Sequence, residues 1–398
     1  MTPAARYAAA IDVLDRAADG QPAEKALTAW GRSNRYAGSK DRAAVRDHVY
    51  DVLRQKRSVA YHGGGTTGRA LILGLLRSQG VDPKDVFGSG GYGPEALLPD
   101  ETMNPSGVMD DPVALDLPDW LWPIWVADLG DKAVESARFL QSRAPISLRV
   151  NLRRGDVATV QTALAAEGIE TQAIDAVPTA LLVTQNARRV RQSQAFTQGL
   201  IDLQDVSSQQ AVANLTIPAG ARVLDYCAGG GGKALALADM HDATITAHDI
   251  APERTVDIAP RADRAGVAIE VVRTQDLGSK SPFDVVFCDA PCSGSGTWRR
   301  TPEAKWSTDQ GKLTNFNGLQ GEVISNASRY VAGGGMLIYA TCSVLRSENI
   351  DVVNAFLTSC PEWTCLSVSQ RFPDATGDGF FFAVLQNAKD NLSLIYGC

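Results

Sequence analysis

From about residue 205 onward the chain alternates two kinds of segment. Short apolar, β-rich runs (ARVLDYC, ATITAHDI, VAIEVVRT, FDVVFCDA and GMLIYATCS) are separated by helical stretches such as GKALALADMH, PERTVDIAPRADRAG and SENIDVVNAFLTS. Runs this apolar must be covered on both faces, so the alternation predicts a parallel sheet with helices packed on either side. Ligands of such sheets bind beyond the carboxyl ends of the strands, where the connections reverse direction. The residues that end each run are therefore the first place to look for chemistry.

Two other patterns come earlier. Residues 1 to about 80 carry apolar residues at three- and four-residue spacing in ARYAAAIDVLDRA, PAEKALTAWGRS, KDRAAVRDHVYDVLRQKR and GRALILGLLRSQ. This predicts helices, with Ser39 as the N-cap of the third. GSGGYGPEALLPDETMNPSG reads as a connection. Trp120, Trp122 and Trp125 follow it and are expected to pack between domains. From about 144, ISLRVNL, VATVQTALAAEG, TQAIDAV and ALLVTQ read as strand, helix, strand, strand. That is a small α+β module of the size of an RNA-recognition fold, and it carries Arg149, Arg153, Arg154, Arg188, Arg189 and Arg191. At 398 residues the chain exceeds the size at which single cores split, and three domains are expected, 1–125, 126–204 and 205–398.

With 44% hydrophobic and 21% charged residues the composition is that of a soluble globular protein. No apolar run approaches a membrane span and the N-terminus is charged too early for a signal peptide, so a cytoplasmic protein without membrane contact is expected. Seven cysteines, an odd number without metal spacing, fit reduced thiols, and four scattered histidines argue against a metal site. The net charge of −7 argues against nucleic acid. Yet the stretch Lys25 to Arg57 holds nine basic residues against three acids. Such a surface is either a solvated helix face or a place to meet phosphates.

VLDYCAGGGGKALALA reads as strand, glycine turn and helix. Gly229, Gly230, Gly231 and Gly232 let the backbone approach a ligand closely. A nucleotide phosphate loop would need Ser or Thr after its lysine, but Lys233 is followed by Ala234. Asp249 ends the next run and suits a ribose diol; Asp276 follows the third run and suits an adenine. A glycine turn and two acids at successive strand ends point to S-adenosylmethionine.

The fourth run ends in Asp289, Ala290, Pro291 and Cys292. Carbon 5 of a pyrimidine is a poor nucleophile. A thiolate that adds to carbon 6 turns carbon 5 into an enamine-like centre able to attack a methyl sulfonium. A base then takes the carbon-5 proton and the thiol leaves. A carboxylate beside the ring, Asp289, would hold the amine edge of cytosine, and the base must be splayed out of its helix to enter. Two thiols at strand ends compete for the attack, Cys292 and Cys342. Proximity to Asp289 alone favours Cys292. Cys227, Cys288, Cys360 and Cys365 are expected to be small buried residues without a chemical role, and Cys398 is unassigned.

DAPCSGSGTWRRTPEAKW and YATCSVLRSEN resemble the two signature motifs of the Sun/Fmu family, the RsmB-like RNA (cytosine-5) methyltransferases. The resemblance extends through DLQDVSSQ and LDYCAGGGGK over about residues 145–386. The helical N-terminus, through PAEKAL and SKDRAAVRDHVYDVLR, is similar to the NusB-like RNA-binding domain of bacterial members. The family implies a class I S-adenosylmethionine-dependent methyltransferase fold, a Rossmann-like sheet, preceded by the α+β module and the all-α domain. It reverses the choice of thiol. By resemblance Cys342 is the nucleophile, Cys292 assists release of the product, Asp289 holds the cytosine edge and Lys233 sits at the active centre. Carried-over cofactor contacts are Cys227, Ala228, Gly229 to Gly232, Lys233, Asp249, Arg254, Asp276 and Asp289. The family's turn reads Ala-Pro-Gly-Gly-Lys-Thr, and Gly229, Gly230 and Ala234 depart from it here. The expected activity is cytosine-5 methylation of RNA, with small-subunit (16S) ribosomal RNA as the partner and a monomer favoured. Transfer RNA methylation, DNA cytosine methylation and a non-catalytic RNA-binding assembly factor are the alternatives.

Overall fold

The computed structural model describes residues 1–103 and 105–388, so Cys398 lies outside the described residues. The chain divides into two compact units, one of Met1–Arg143 with Trp298–Gln310, the other of Ala144–Thr297 with Gly311 onward.

The first unit is helical. Helices α1 (Pro3–Ala18), α2 (Ala23–Ser33), α3 (Ser39–Arg54), α4 (Lys56–Gly63) and α5 (Gly68–Ser78) bury their apolar stripes on one another. Val13 and Leu14 of α1, Trp30 of α2, Val45 and Val49 of α3 and Leu73 of α5 share one core. The third predicted segment breaks at Gln55 and supplies both α3 and α4. Its N-cap is Gly38 rather than Ser39. The Asp41 carboxylate accepts from the Gly38 amide at 3.3 Å, which satisfies the helix start from inside the helix and leaves the serine no capping role.

Residue 125, the expected end of this part, lies inside the helix Trp122–Leu129, which with Ala133–Leu140 belongs to the helical unit. Trp125 is fully buried there, donates to the Ala133 carbonyl at 2.8 Å and stacks on Trp298. Trp298–Gln310 completes the same unit. Lys305 is buried and donates to the Arg54 carbonyl at 3.0 Å, while the Trp306 indole donates to Leu53 at 2.6 Å. Burial pushes the Lys305 ammonium down to about 8.

The second unit holds two sheets. Strands β1 (Ser147–Val150), β2 (Thr171–Ala173), β3 (Ala180–Val183) and β4 (Ile201–Leu203) form a four-stranded antiparallel sheet in the order β2-β3-β1-β4. Three arginines of this module are structural. Arg149 is buried against Asp239 of the helix Gly232–Met240. Arg153 and Arg154 donate to backbone carbonyls of Asp239, His241, Gln198 and Ala265.

The larger sheet contains β5 (Ala221–Asp225), β6 (Ala243–His248), β7 (Ile269–Val272), β8 (Phe283–Asp289), β9 (Val331–Thr341), β10 (Trp363–Arg371) and β11 (Phe380–Asn387) in the order β10-β11-β9-β8-β5-β6-β7. The five predicted strands, β5 to β9, are parallel, and β11 and β10 add an antiparallel edge. Along β8, Val285 and Phe287 enter the core on one face, Val286 and Cys288 the core on the other. Burial on both faces is why the run is apolar without alternation. The chain runs outward through β5, β6 and β7, then returns to β8 on the other side of β5. That reversal opens a crevice beyond Asp225 and Asp289.

Candidate active site

Four loops at the carboxyl ends of the parallel strands build the site. The first follows β5. Gly231 has φ +78°, and a Cβ there would lie 2.8 Å from Ile258 Cγ1, so only glycine lets this turn lead into the helix Gly232–Met240. Asp249, just beyond β6, is buried and braces the same turn. Its Oδ2 accepts from the Gly229 amide at 2.9 Å and its Oδ1 from the Ala251 amide at 3.0 Å. The exposed Arg254 guanidinium lies 3.3 Å from Oδ2. His248 joins the strand ends, with Nδ1 2.7 Å from the Tyr226 carbonyl and Nε2 2.9 Å from the Thr274 hydroxyl. Asp276 is exposed after β7, in the turn Thr274–Asp276.

Asp225 was not among the expected site residues. It ends β5 fully buried, and neither carboxylate oxygen has a well-formed hydrogen bond. Burial pushes its pKa up to about 7, against the pull of Lys233 and the Ala234 amide and with the push of Asp289. An orphaned buried carboxyl beside a glycine turn is a natural partner for an ammonium group such as the methionine end of S-adenosylmethionine. Together with the turn and Asp249, it means that the residues present fit that cofactor. The signal was in the sequence, since Asp225 ends its strand just as Asp289 does.

On the catalytic side, Lys233 Nζ donates to Asp289 Oδ2 at 2.5 Å, and both side chains keep some exposure, 15% and 28%. Burial works against the ammonium, but Asp289 and Asp225 more than offset it, so Lys233 stays charged with a raised pKa. The ammonium also sits over the Phe380 ring, 5.1 Å from its centre, a contact that needed the unpredicted strand β11.

Neighbouring parallel strands bring the two thiols together. β8 and β9 pair Asp289 with Ala340, and the Ala290 amide donates to the Ala340 carbonyl at 2.8 Å. Cys292 Sγ then lies 3.4 Å from Cys342 Sγ. Gly296 makes this approach possible. Its amide donates to the Cys342 carbonyl at 2.9 Å, and a Cβ on it would stand 2.6 Å from the Gly379 oxygen. The thiols are not equivalent. A hydrogen bond from Cys292 lowers Cys342, helped by Lys233 and by Thr297, whose hydroxyl is 3.9 Å from the sulfur. Cys292 is raised well above the ordinary thiol value by Cys342, by burial and by Glu348. Cys288 is raised by Cys227 and by burial. Glu348, also unanticipated, is fully buried between the two cysteine loops.

The sequence model of the family described as 16S rRNA methyltransferase RsmB/F matches residues 212–386. That of the ferredoxin-like domain of RsmF/B-like methyltransferases matches 117–190. The ribosomal RNA small subunit methyltransferase B of Xylella fastidiosa (strain Temecula1) is 36% identical over 290 residues, 67% of this chain and 67% of that protein. The Bacillus subtilis protein named "Probable ribosomal RNA small subunit methyltransferase B" is 30% identical over 348 residues, 84% of this chain and 72% of its own length. A methyltransferase homolog from Pyrococcus horikoshii shares the fold, with a TM-score of 0.61 and 22% identity over 73% of this chain and all of that one. The chain belongs to the RsmB/F family of 16S rRNA methyltransferases and is an S-adenosylmethionine-dependent RNA methyltransferase.

Proposed function

We propose that the protein methylates carbon 5 of a cytosine in small-subunit ribosomal RNA, with Cys342 as the nucleophile and Cys292 as the group that frees the product. The observation that carries this reading is the 3.4 Å contact between two thiols whose proton affinities are driven apart. The substrate class rests on the names of the relatives.

The thiolate of Cys342 adds to carbon 6, and the electron pair of the carbon 5–carbon 6 bond moves toward the ring nitrogen and carbonyl. Lys233 occupies one oxygen of Asp289, which leaves the other to accept from the exocyclic amine and so prefer cytosine. S-adenosylmethionine, when bound, supplies a methyl group on a sulfonium, which the activated carbon 5 can accept; Asp225, the turn Gly229 to Gly232 and Asp249 would hold it. Once Cys342 is a thioether it no longer presents a negative charge to Cys292, so Cys292 can release its own proton to solvent and, as thiolate, take the carbon-5 proton. The bond from carbon 6 to sulfur then breaks, the ring double bond is restored and Cys342 leaves as thiolate.

The helical unit offers Lys25, Arg32, Arg35 and Lys40 as exposed cations for RNA phosphates, in line with its NusB-like sequence. The test is methyl transfer with labelled donor to 16S rRNA, transfer RNA and DNA. Cys342→Ala is expected to abolish both transfer and covalent adduct, and Cys292→Ala to accumulate an RNA adduct that survives denaturing electrophoresis. The opposite pattern would make Cys292 the nucleophile, and binding of RNA without any transfer would favour an assembly factor.

A further inference from the structure

Each active-site cysteine is followed by a serine, and both serines converge on one side chain. Glu348 Oε1 accepts from the Ser293 amide at 2.7 Å and from Gln320 Nε2 at 3.0 Å. Its Oε2 accepts from the Ser293 and Ser343 hydroxyls, both at 2.5 Å. The Tyr339 hydroxyl fixes its backbone carbonyl at 2.7 Å. Glu348 forms no salt bridge among the described residues and has no exposed surface. A buried carboxylate held by neutral donors alone is expensive to keep unless the arrangement needs it.

We propose that Glu348 is a positioning residue for the reaction: its carboxylate ties the backbone after Cys292 to the backbone after Cys342, and so decides which thiol attacks and which receives the proton. The inference rests on the proposed roles of the two thiols. The geometry gives it two effects. Three of the hydrogen bonds, from Ser293 and Ser343, hold two loops from different strands at one separation, and the fourth fixes the carboxylate to Gln320. The carboxylate's negative charge raises the proton affinity of Cys292, and so favours Cys342 as the thiol that ionises first. The other groups facing the thiol pair are Lys233 from its helix, Asp289 at the end of β8, and Thr297 and Tyr339.

Glu348→Gln separates the two effects, because the serine hydroxyls can turn to accept where they now donate, which retains the tether and removes the charge. The probe is iodoacetamide, with alkylation of Cys292 and Cys342 resolved by peptide mass spectrometry over a neutral-to-alkaline pH series. In the unmodified protein Cys342 should react first. In Glu348→Gln the Cys292 profile should move to lower pH and its rate relative to Cys342 should rise about 3- to 10-fold, as expected of a thiol relieved of a neighbouring charge. On RNA, kcat should fall by about 10- to 100-fold with KM for donor and RNA little changed, the mark of a disturbed division of roles between the thiols rather than of lost binding. An unchanged Cys292-to-Cys342 alkylation ratio overturns the proposal even if kcat falls. Should Glu348→Gln fail to fold, Ser343→Ala cuts one tether while leaving the charge, so kcat should fall with the alkylation ratio little changed, and an unchanged kcat there overturns the positioning role. Failure of the unmodified protein to methylate RNA would overturn the functional reading instead, since alkylation needs neither RNA nor donor.

Discussion

Two ion pairs tie the helix Gly232–Met240 to its surroundings, and they do opposite jobs. At its far end Asp239 meets Arg149 in a seam where both side chains are 2% exposed. At its near end Lys233 meets Asp289 at the mouth of the crevice, partly open to solvent. The first pair is closed to any ligand and joins the small module to the catalytic sheet. The second engages only one oxygen of Asp289, at the end of β8. Both join a cationic side chain to an aspartate. Exposure and the neighbouring groups set them apart: one pair is a closed strut, the other stands at the strand-end crevice, where the proposed function places chemistry.

The strongest way to break this contrast is Asp239→Ala. It strands a buried guanidinium and should destabilise the protein by about 3–5 kcal/mol in urea unfolding, whereas the chain that remains folded should still methylate. Asp289→Asn should do the reverse, lowering kcat by about 100-fold or more with little change in melting temperature. A large loss of stability in Asp289→Asn, or of activity in folded Asp239→Ala, would erase the distinction.

Asp225 gives a test with a defined sign. Its usual carboxyl value is 3.8 and burial raises it to about 7. Between those values the unfolded chain releases the proton while the folded chain keeps it, so this group's contribution to stability falls as pH rises through the window and is flat above it. Asp225→Asn should therefore melt like the parent below the window and be more stable than the parent above pH 7, by about 1–3 kcal/mol, while binding the methyl donor more weakly. Equal melting temperatures across pH would mean that the carboxyl is not held protonated. The smallest effect is expected at Arg254, which is largely exposed beside Asp249. Arg254→Ala should weaken donor binding by less than about 5-fold and leave the melting temperature unchanged.

Much of this was legible in the sequence. Strands β5 to β9, the glycine turn, Asp249, Asp289, Lys233 and both cysteines could be placed because continuous apolar runs mark doubly covered strands and the residues ending them face the ligand crevice. The strands β10 and β11 were missed because they lie beyond the last predicted helix. Ser39 was taken for a cap because side-chain type does not reveal that the helix starts one residue earlier, with Gly38 at the cap and Asp41 accepting from its amide. Glu348 was passed over because an acid in SENIDVV reads as a helix-surface residue until two loops are seen to close over it.

The amino-acid sequence by itself determined the alternation of strands β5 to β9 with helices, the chemical inventory at the strand ends and the family. Hydrophobic pattern and short motifs are local, and local information is enough for these. Only the tertiary structure decided that two thiols fifty residues apart touch, that a hydrogen bond and nearby charges drive their acidities apart, and that Arg149 is a strut. Acidity and burial depend on what packs around a group, and those neighbours come from distant parts of the chain.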